Sequence, residues 1–196
     1  MRDHAGRQRL LIINGSPSRR SKTAALLEVI ERRATAAGAA VEVVSVRDFP
    51  AEALLFGDVT EPALQHFLEQ VACASALVVA TPIYKASYSG ALKALLDIIP
   101  PGALAGKTVL PLATAGTLAH FLALDFALRP VLSFLGARDT LANVFLLETN
   151  FRDIATGLLD EAAEERLSNG ISDLLTALGQ RTVVIREPQI AGTSSA

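Results

Sequence analysis

The sequence predicts a doubly wound α/β domain, in which one open parallel β-sheet is covered by helices on both faces. Short, β-rich apolar runs alternate with helical patterns along the chain, and the connections between them are short. Uninterrupted aliphatic runs are typical of strands that are buried on both faces of a parallel sheet. Five strands alternating with five helices therefore favour an open doubly wound sheet.

Each predicted element follows from its hydrophobic pattern. The five predicted strands are Leu10–Asn14, Val41–Val46, Ala76–Thr81, Lys107–Ala113 and Ala142–Leu147. The predicted helices are Thr23–Ala37, Glu61–Cys73, a segment that ends at about Ile99 before Pro100, Leu118–Leu135 and Asp160–Leu178. Residues 47–60 contain a proline and a glycine and are predicted to be irregular. In such a sheet a ligand binds beyond the carboxyl ends of the strands, which directs attention to the loops after strands one, three and four.

Length, composition and charge limit the classes of protein to which this chain can belong. The 196 residues fit one domain, predicted over residues 9–186 with disordered tails at 1–8 and 187–196. A net charge of −2 offers no electrostatic footprint for nucleic acid. The single cysteine indicates a reducing compartment, and the apolar run Leu10–Ile13 is too short for a signal or membrane segment, so a cytoplasmic protein is expected. Hydrophobic residues make up 51% of the chain, a surplus that favours a homo-oligomer.

The loop after the first strand predicts a phosphate site. It combines four hydroxyls and three cations at the start of a helix, where the helix dipole attracts anions. This chemistry suits a terminal phosphate monoester. The candidate residues are Ser16, Ser18, Ser21, Lys22 and Thr23. Neither a dinucleotide fingerprint nor a P-loop is present, and the alternative is a polar loop in which Ser21 only caps the helix.

The loop after the third strand, TPIYKASYSG, predicts a wall for a planar cofactor. Pro82 stiffens the turn, and Ile83 and Tyr84 offer a flat apolar surface. Lys85 and Ser87 are counted with the site as the polar residues of this loop. The alternative is that the loop tyrosines simply pack against the next helix.

Small residues follow the fourth strand, and Ala115, Gly116 and Thr117 let backbone N–H groups approach a heterocycle closely. His120 is a further candidate, although a structural capping role is the alternative. No metal-ligand spacing and no nucleophile–histidine–acid set can be assembled from the sequence. We therefore expect redox chemistry supplied by a cofactor, without a catalytic side chain.

Three segments carry a family resemblance: Gly15-Ser16-Pro17 with Ser21-x-Thr23, ATPIYKASYSGALKALLDIIP, and PLATAGTLAHFLALDFALRPVLSFLGA. Together they closely resemble the NADPH-dependent FMN reductases of alkanesulfonate utilisation, in order from about residue 10 to residue 147. The resemblance implies a flavodoxin-like sandwich with strand order 2-1-3-4-5 and FMN as a substrate or loosely held cofactor. It also implies oxidation of NADPH or NADH, with reduced FMN passing to a monooxygenase that cleaves carbon–sulfur bonds.

The resemblance also assigns roles by matched position. Ser16, Ser21, Lys22 and Thr23 would hold the FMN phosphate, residues 82–84 would line the isoalloxazine ring, and residues 115–117 would meet its pyrimidine side. It implies a homodimer or homotetramer formed through the apolar helices, including residues 118–135. In some members this helix carries a π-bulge marked by an aromatic residue. Phe126 stands there in this chain, where it serves either interface packing or the flavin.

Two other functions are compatible with this scaffold. One is a quinone, azo-dye or metal-ion reductase with tightly bound FMN. The other is a non-enzymatic electron carrier of the flavodoxin type, against which the charge of −2 argues because such carriers are strongly acidic.

Overall fold

A parallel sheet of five main strands forms the centre of the computed structural model, which describes residues 8–179. The strands are β1 Arg9–Asn14, β2 Ala40–Ser45, β3 Ala76–Tyr84, β4 Thr108–Ala115 and β5 Val144–Leu147. They pair in the order β2-β1-β3-β4-β5, which confirms the predicted flavodoxin-like order. The edge strand next to β4 has two parts. A two-residue piece, Asp139–Thr140, pairs with the start of β4, and β5 pairs with its end.

Within the described residues, six α-helices cover the sheet. They are α1 Lys22–Ala36, α2 Ala51–Phe56, α3 Pro62–Cys73, α4 Gly90–Ile98, α5 Arg129–Phe134 and α6 Glu161–Ala177. Alternate residues of each strand enter two separate hydrophobic cores. Leu11 and Ile13 of β1 pack with residues of α2 to α5, whereas Leu10 and Ile12 pack with residues of α1 and α6. The sheet is thus buried on both faces, as its uninterrupted aliphatic strands predict.

The prediction that residues 47–60 are irregular is wrong in part, because Ala51–Phe56 form the short helix α2. Ala53 and Leu54 are buried against the core, and Gly57 ends the helix in the left-handed conformation at φ 67°. A helix of less than two turns is too short to produce a recognisable 3.6-residue period.

The predicted helix Leu118–Leu135 is not one continuous α-helix, and it contains the π-helical turn that the family resemblance implies. The segment begins with a 3₁₀ turn at Leu118–His120, continues as a π-helical turn at Leu124–Leu128, and becomes α-helical only in α5. In the π-helical turn the N–H of Arg129 reaches back to the carbonyl of Leu124. Pro130 follows immediately, and because a proline ring clashes with the carbonyl four residues earlier, it explains why a regular ladder cannot pass this point.

Two further features concern the segment between β5 and α6 and the predicted tails. Phe151–Asp153 and Leu158–Leu159 form a small antiparallel pair that no sequence pattern indicated. Residues 1–7 of the predicted N-terminal tail and the whole predicted C-terminal tail lie outside the described residues. None of the helices within residues 8–179 has the length and hydropathy needed to cross a membrane.

Candidate functional site

A cavity of about 250 Å³ opens beyond the carboxyl ends of β1, β3 and β4. Ten of the fourteen residues predicted for the site line it: Ser16, Ser18, Ser21, Lys22, Thr23, Pro82, Ile83, Tyr84, Ala115 and Gly116. Four others complete the wall: Arg20, Thr114, Glu148 and Ile154. Three loops that are distant in sequence therefore meet at one edge of the sheet, at the point where the strand order reverses between β1 and β3.

Gly15 determines the path of the first loop. Its N–H donates to the carbonyl of Ala80 on β3 at 2.7 Å, so the backbone lies directly against the neighbouring strand. A Cβ at this position would lie 2.7 Å from that carbonyl oxygen and 2.8 Å from Cβ of Leu92. The side chain of Asn14 then accepts a hydrogen bond from the N–H of Ser16 at 3.0 Å, which turns the chain toward the cavity.

Ser21 both caps α1 and lines the cavity. Its hydroxyl oxygen accepts a hydrogen bond from the N–H of Ala24 at 3.0 Å, the geometry of a helix N-cap. Ser21 therefore caps the helix, as the alternative interpretation held, and also lies in the cavity wall. The cap places Lys22 and the positive end of the helix dipole beside the serine hydroxyls.

Thr23 occupies the deepest part of this wall. Its side chain is fully buried, and its hydroxyl lies 2.8 Å from the hydroxyl of Thr114 at the end of β4. The pair joins the first turn of α1 to the carboxyl end of β4. Thr114 was not predicted as a site residue, although the rule that places Ala115 at the edge of the sheet applies equally to its neighbour.

The segment predicted as a loop at residues 81–90 is largely a β-hairpin, so that prediction is wrong. β3 continues to Tyr84, which pairs with Ser87, while Lys85 and Ala86 form the turn at φ 51° and 64°. A two-residue turn with positive φ at both positions usually carries asparagine or glycine, and neither residue is present to signal it. Lys85 and Ser87 lie outside the cavity lining.

The hairpin presents different faces to the core and to the cavity. Pro82 and Ile83 are buried in the strand, and Tyr84 is half exposed at the rim. Tyr88 packs against the hydrophobic core instead, and burial raises the pKa of its phenol above the usual value. The alternative in which a loop tyrosine packs against the interior is therefore correct for Tyr88, whereas Tyr84 lines the cavity.

The segment after β4 divides in the same way. Ala115 and Gly116 line the cavity, but Thr117 and His120 do not. The hydroxyl of Thr117 accepts a hydrogen bond from the N–H of Ala119 at 3.2 Å and caps the 3₁₀ turn. His120 lies in that turn, where its Nδ1 is buried without a hydrogen-bond partner in the described part of the chain.

An ion pair stands in the cavity between the start of α1 and the backbone at Gly116. Nζ of Lys22 lies 3.0 Å from Oε2 of Glu148, which belongs to a 3₁₀ turn directly after β5. Arg20, the other cation of this wall, is exposed and has no side-chain partner within residues 8–179. Sequence reasoning missed Glu148, although its place after an adjacent strand was a usable signal.

The lining as a whole has two chemical ends. Hydroxyls, two cations and a helix start suit a phosphate monoester, whereas Pro82, Ile83 and Tyr84 with the backbone around Gly116 suit a planar ring. Among the described residues there is no cluster of His, Cys, Asp and Glu that could hold a metal ion.

Comparison with known proteins adds the family. Residues 8–151 match the family model described as NADPH-dependent FMN reductase. The chain is 46% identical over 172 residues to "FMN reductase (NADPH)" of Pseudomonas putida, covering 86% of this chain and 87% of that protein. It is 48% identical over 137 residues to "FMN reductase (NADPH)" of Escherichia coli, covering 70% and 72%. It is also 32% identical to "NADH-dependent FMN reductase SfnE" of Pseudomonas putida, covering 81% and 87%.

Solved structures agree with this relation. The apo form of an NADH:FMN oxidoreductase, EMOB, superposes with a TM-score of 0.80 at 39% identity, covering 90% of this chain and 92% of that chain. A flavodoxin from the domain Archaea superposes with a TM-score of 0.56 at 15% identity, covering 88% and 99%, which supports the fold class alone.

Proposed function

We propose, from the premise that this chain belongs to the NADPH-dependent FMN reductase family, that the cavity beyond β1, β3 and β4 is where NADPH or NADH reduces FMN. The observation that carries the proposal is the continuity of one cavity from a hydroxyl-rich, cationic end to an apolar strand end. FMN has the matching pair of parts, a phosphate monoester and a flat ring system.

The phosphate end of the cavity is rich in hydrogen-bond donors. Ser16 and Ser18 lie in the loop that Gly15 sets against β3, and Lys22 begins the helix that Ser21 caps. Hydroxyls and helix amides donate neutral hydrogen bonds to phosphate oxygens, while Lys22 and Arg20 supply charge. These groups fix the tail of the flavin and thereby the position of its ring.

The ring end of the cavity positions the flat ring of FMN and shields it from water. Pro82 and Ile83 are held in a buried strand, so the surface that they offer is rigid, and Tyr84 closes the rim. When bound, FMN supplies the redox chemistry by accepting a hydride from the nicotinamide. The protein contributes orientation and a polar environment near Gly116, so no side chain needs to act as a general acid.

We further propose that reduced FMN leaves the cavity and serves a flavin-dependent monooxygenase of the alkanesulfonate type, in the cytoplasm. The supporting observation for release is that the rim residues Tyr84 and Ile154 are each about half exposed, at 47% and 48%, so the opening is not covered. The supporting observation for the compartment is the single cysteine, Cys73.

The proposal includes a homodimer or homotetramer. Large apolar side chains are exposed along the segment that contains the π-helical turn and α5: Leu118, Phe121, Leu122, Phe126 and Phe134. Phe126 and Phe134 are 76% and 73% exposed. A contiguous segment of this kind is typical of a surface that a second subunit covers.

The test is an anaerobic mixture of the purified protein, FMN and either NADPH or NADH, followed by flavin absorbance. We expect near-stoichiometric bleaching with at least one nucleotide. In steady state Lys22→Gln should raise the KM for FMN about tenfold, since a charged hydrogen bond is worth roughly 1.5–3 kcal/mol before solvent screening reduces it. Lys93→Gln is the matched control, because Lys93 is an exposed cation on α4 that pairs with Asp97.

Other outcomes point to the alternative functions. Persistent oxidised flavin with both nucleotides contradicts the proposal. FMN retained through gel filtration, with faster turnover of a quinone than of free FMN, indicates a quinone-type reductase. Reduction only by a separate reductase indicates a flavodoxin-type electron carrier.

A further inference from the structure

The cavity contains a carboxylate where an anion is expected to bind. Lys22 and Glu148 both line it, and their side chains form an ion pair with 24% and 54% of their surfaces exposed. Arg20 is the second cation of this wall. Glu148 therefore cancels half of the positive side-chain charge that the phosphate end presents.

The ion pair is not required to build either of the elements that carry it. α1 is capped by Ser21, and the turn at Glu148–Asn150 is held by Asn150, whose Oδ1 accepts a hydrogen bond from the N–H of Leu147 at 2.8 Å. The other end of the Asn150 amide donates to Asp160 Oδ2 at 2.8 Å. Within the described residues the side chain of Glu148 has no partner except Lys22.

We infer that Glu148 keeps the affinity for FMN low by competing with the phosphate for Lys22, so that the flavin remains exchangeable. This inference rests on the proposed function. A phosphate monoester carries nearly two negative charges at neutral pH. When the phosphate approaches Lys22, two outcomes are possible. Glu148 either stays on the Lys22 ammonium, close to the negative phosphate, or loses its ion pair with Lys22. Both outcomes weaken binding relative to a site without the carboxylate.

A lowered affinity suits a reductase that must release its product. Differences in affinity between closely related complexes are mainly differences in dissociation rate. Glu148 therefore shortens the time that flavin stays bound, which distinguishes an enzyme that uses FMN as a substrate from one that retains it.

The test compares FMN with riboflavin, the same ring system without the phosphate, in titrations of the wild type and Glu148→Gln by flavin fluorescence. We expect Glu148→Gln to lower the Kd for FMN about tenfold, or ~1.4 kcal/mol. The Kd for riboflavin should change less than about twofold. The FMN effect should shrink at high salt, because the screening length falls to ~3 Å at 1 M ionic strength. The dissociation rate of FMN, measured by stopped flow, should fall with the Kd.

Two further variants control the experiment. Glu164→Gln removes one charge from another ion pair, with Arg33 at 2.7 Å on α1 and α6, and should leave both Kd values unchanged. In Lys22→Gln, the additional replacement of Glu148 should have a smaller effect than in the wild type, which measures the coupling directly.

The outcomes separate the inference from the proposed function. An unchanged FMN Kd in Glu148→Gln, or equal tightening of riboflavin, overturns the inference while flavin binding stands. Absence of FMN binding to the wild-type protein overturns the proposed function itself.

Discussion

Gly15 lies where β1 turns into the cavity, and a change at this single residue is expected to disturb the site. Its amide hydrogen bond to Ala80 brings two backbones within 2.7 Å, and Leu92 of α4 covers the remaining side. The requirement is steric, because the φ angle at Gly15 is not among the positive values that favour glycine. A methyl group here has to displace either a strand or a helix.

We predict that Gly15→Ala lowers the free energy of unfolding by about 1–3 kcal/mol, the usual cost of adding a methyl group to a packed site. FMN binding should weaken as well, because the loop that carries Ser16 moves. Urea unfolding and a flavin titration measure the two effects.

Gly90→Ala is the matched control. A Cβ at Gly90 meets nothing within 4 Å, and the residue begins α4. Alanine there should be neutral or stabilise by up to about 1 kcal/mol, since it restricts the unfolded chain. Equal losses in the two variants would contradict the steric explanation.

Some residues of the cavity could be predicted from the sequence and others could not. The ten predicted residues that line the cavity follow from polar or small residues, or from a flat apolar run, directly after predicted strands. Glu148 and Thr114 obey the same placement rule, but their partners Lys22 and Thr23 lie more than ninety residues earlier in the chain. Such pairings depend on the relative position of whole elements, which no local pattern contains.

At the scale of elements, α6 depends on the side chain that begins it. Oδ1 of Asp160 accepts a hydrogen bond from the N–H of Ala163 at 2.8 Å, and Oδ2 accepts one from Asn150. These contacts, the backbone N–H of Ala163 first, hold the pKa of this carboxyl below its ordinary value of 3.8. The cap thus links α6 to the turn that carries Glu148.

This lowered pKa predicts the acid side of the stability profile. A carboxyl whose pKa is lower in the folded state stabilises the fold above its unfolded pKa and loses that contribution as pH falls through its folded pKa. Asp160→Asn removes the titration, so the wild type should lose its advantage over this variant as pH falls below about 4. Thermal unfolding at several pH values measures the difference.

Asp173→Asn removes an exposed carboxylate from the same helix without touching its cap. A pH-dependent difference of the same size in this variant would assign the effect to net charge instead of the cap.

The arrangement of elements also contributes to the π-helical turn. Asp125 and Arg129 both bond to Asn143, through its Nδ2 at 2.8 Å and its Oδ1 at 2.9 Å respectively. Asn143 lies between the two parts of the edge strand. The widened turn therefore has a partner in the sheet, in addition to the local effect of Pro130, and the hydrophobic pattern of residues 118–135 contains no trace of that partner.

For the whole molecule, the exposed apolar side chains of residues 118–134 predict assembly. Phe126 does not line the cavity, which favours a packing role for it over contact with the flavin. We predict that Phe126→Asp shifts the protein to a smaller species in sedimentation velocity, because an unpaired carboxylate in a buried interface is costly.

Phe56→Asp is the control at an equally exposed aromatic residue on α2, where the ring is 79% exposed. It should leave the mass unchanged. Dissociation by Phe56→Asp alone would place the interface on α2, and an unaltered mass in both variants would contradict assembly through either surface.

The sequence by itself determined the fold class and the three segments that meet at the cavity, because both depend on local hydrophobic periods and on the rule that parallel strands end at one edge. The strand order followed from the resemblance of the sequence to a known family. The tertiary structure alone decided which side chain of the edge strand holds the break in the long helix, how β3 extends into a hairpin, and which charge faces Lys22. The physical reason is that hydrogen bonds and ion pairs between distant segments override local propensity once the elements are packed.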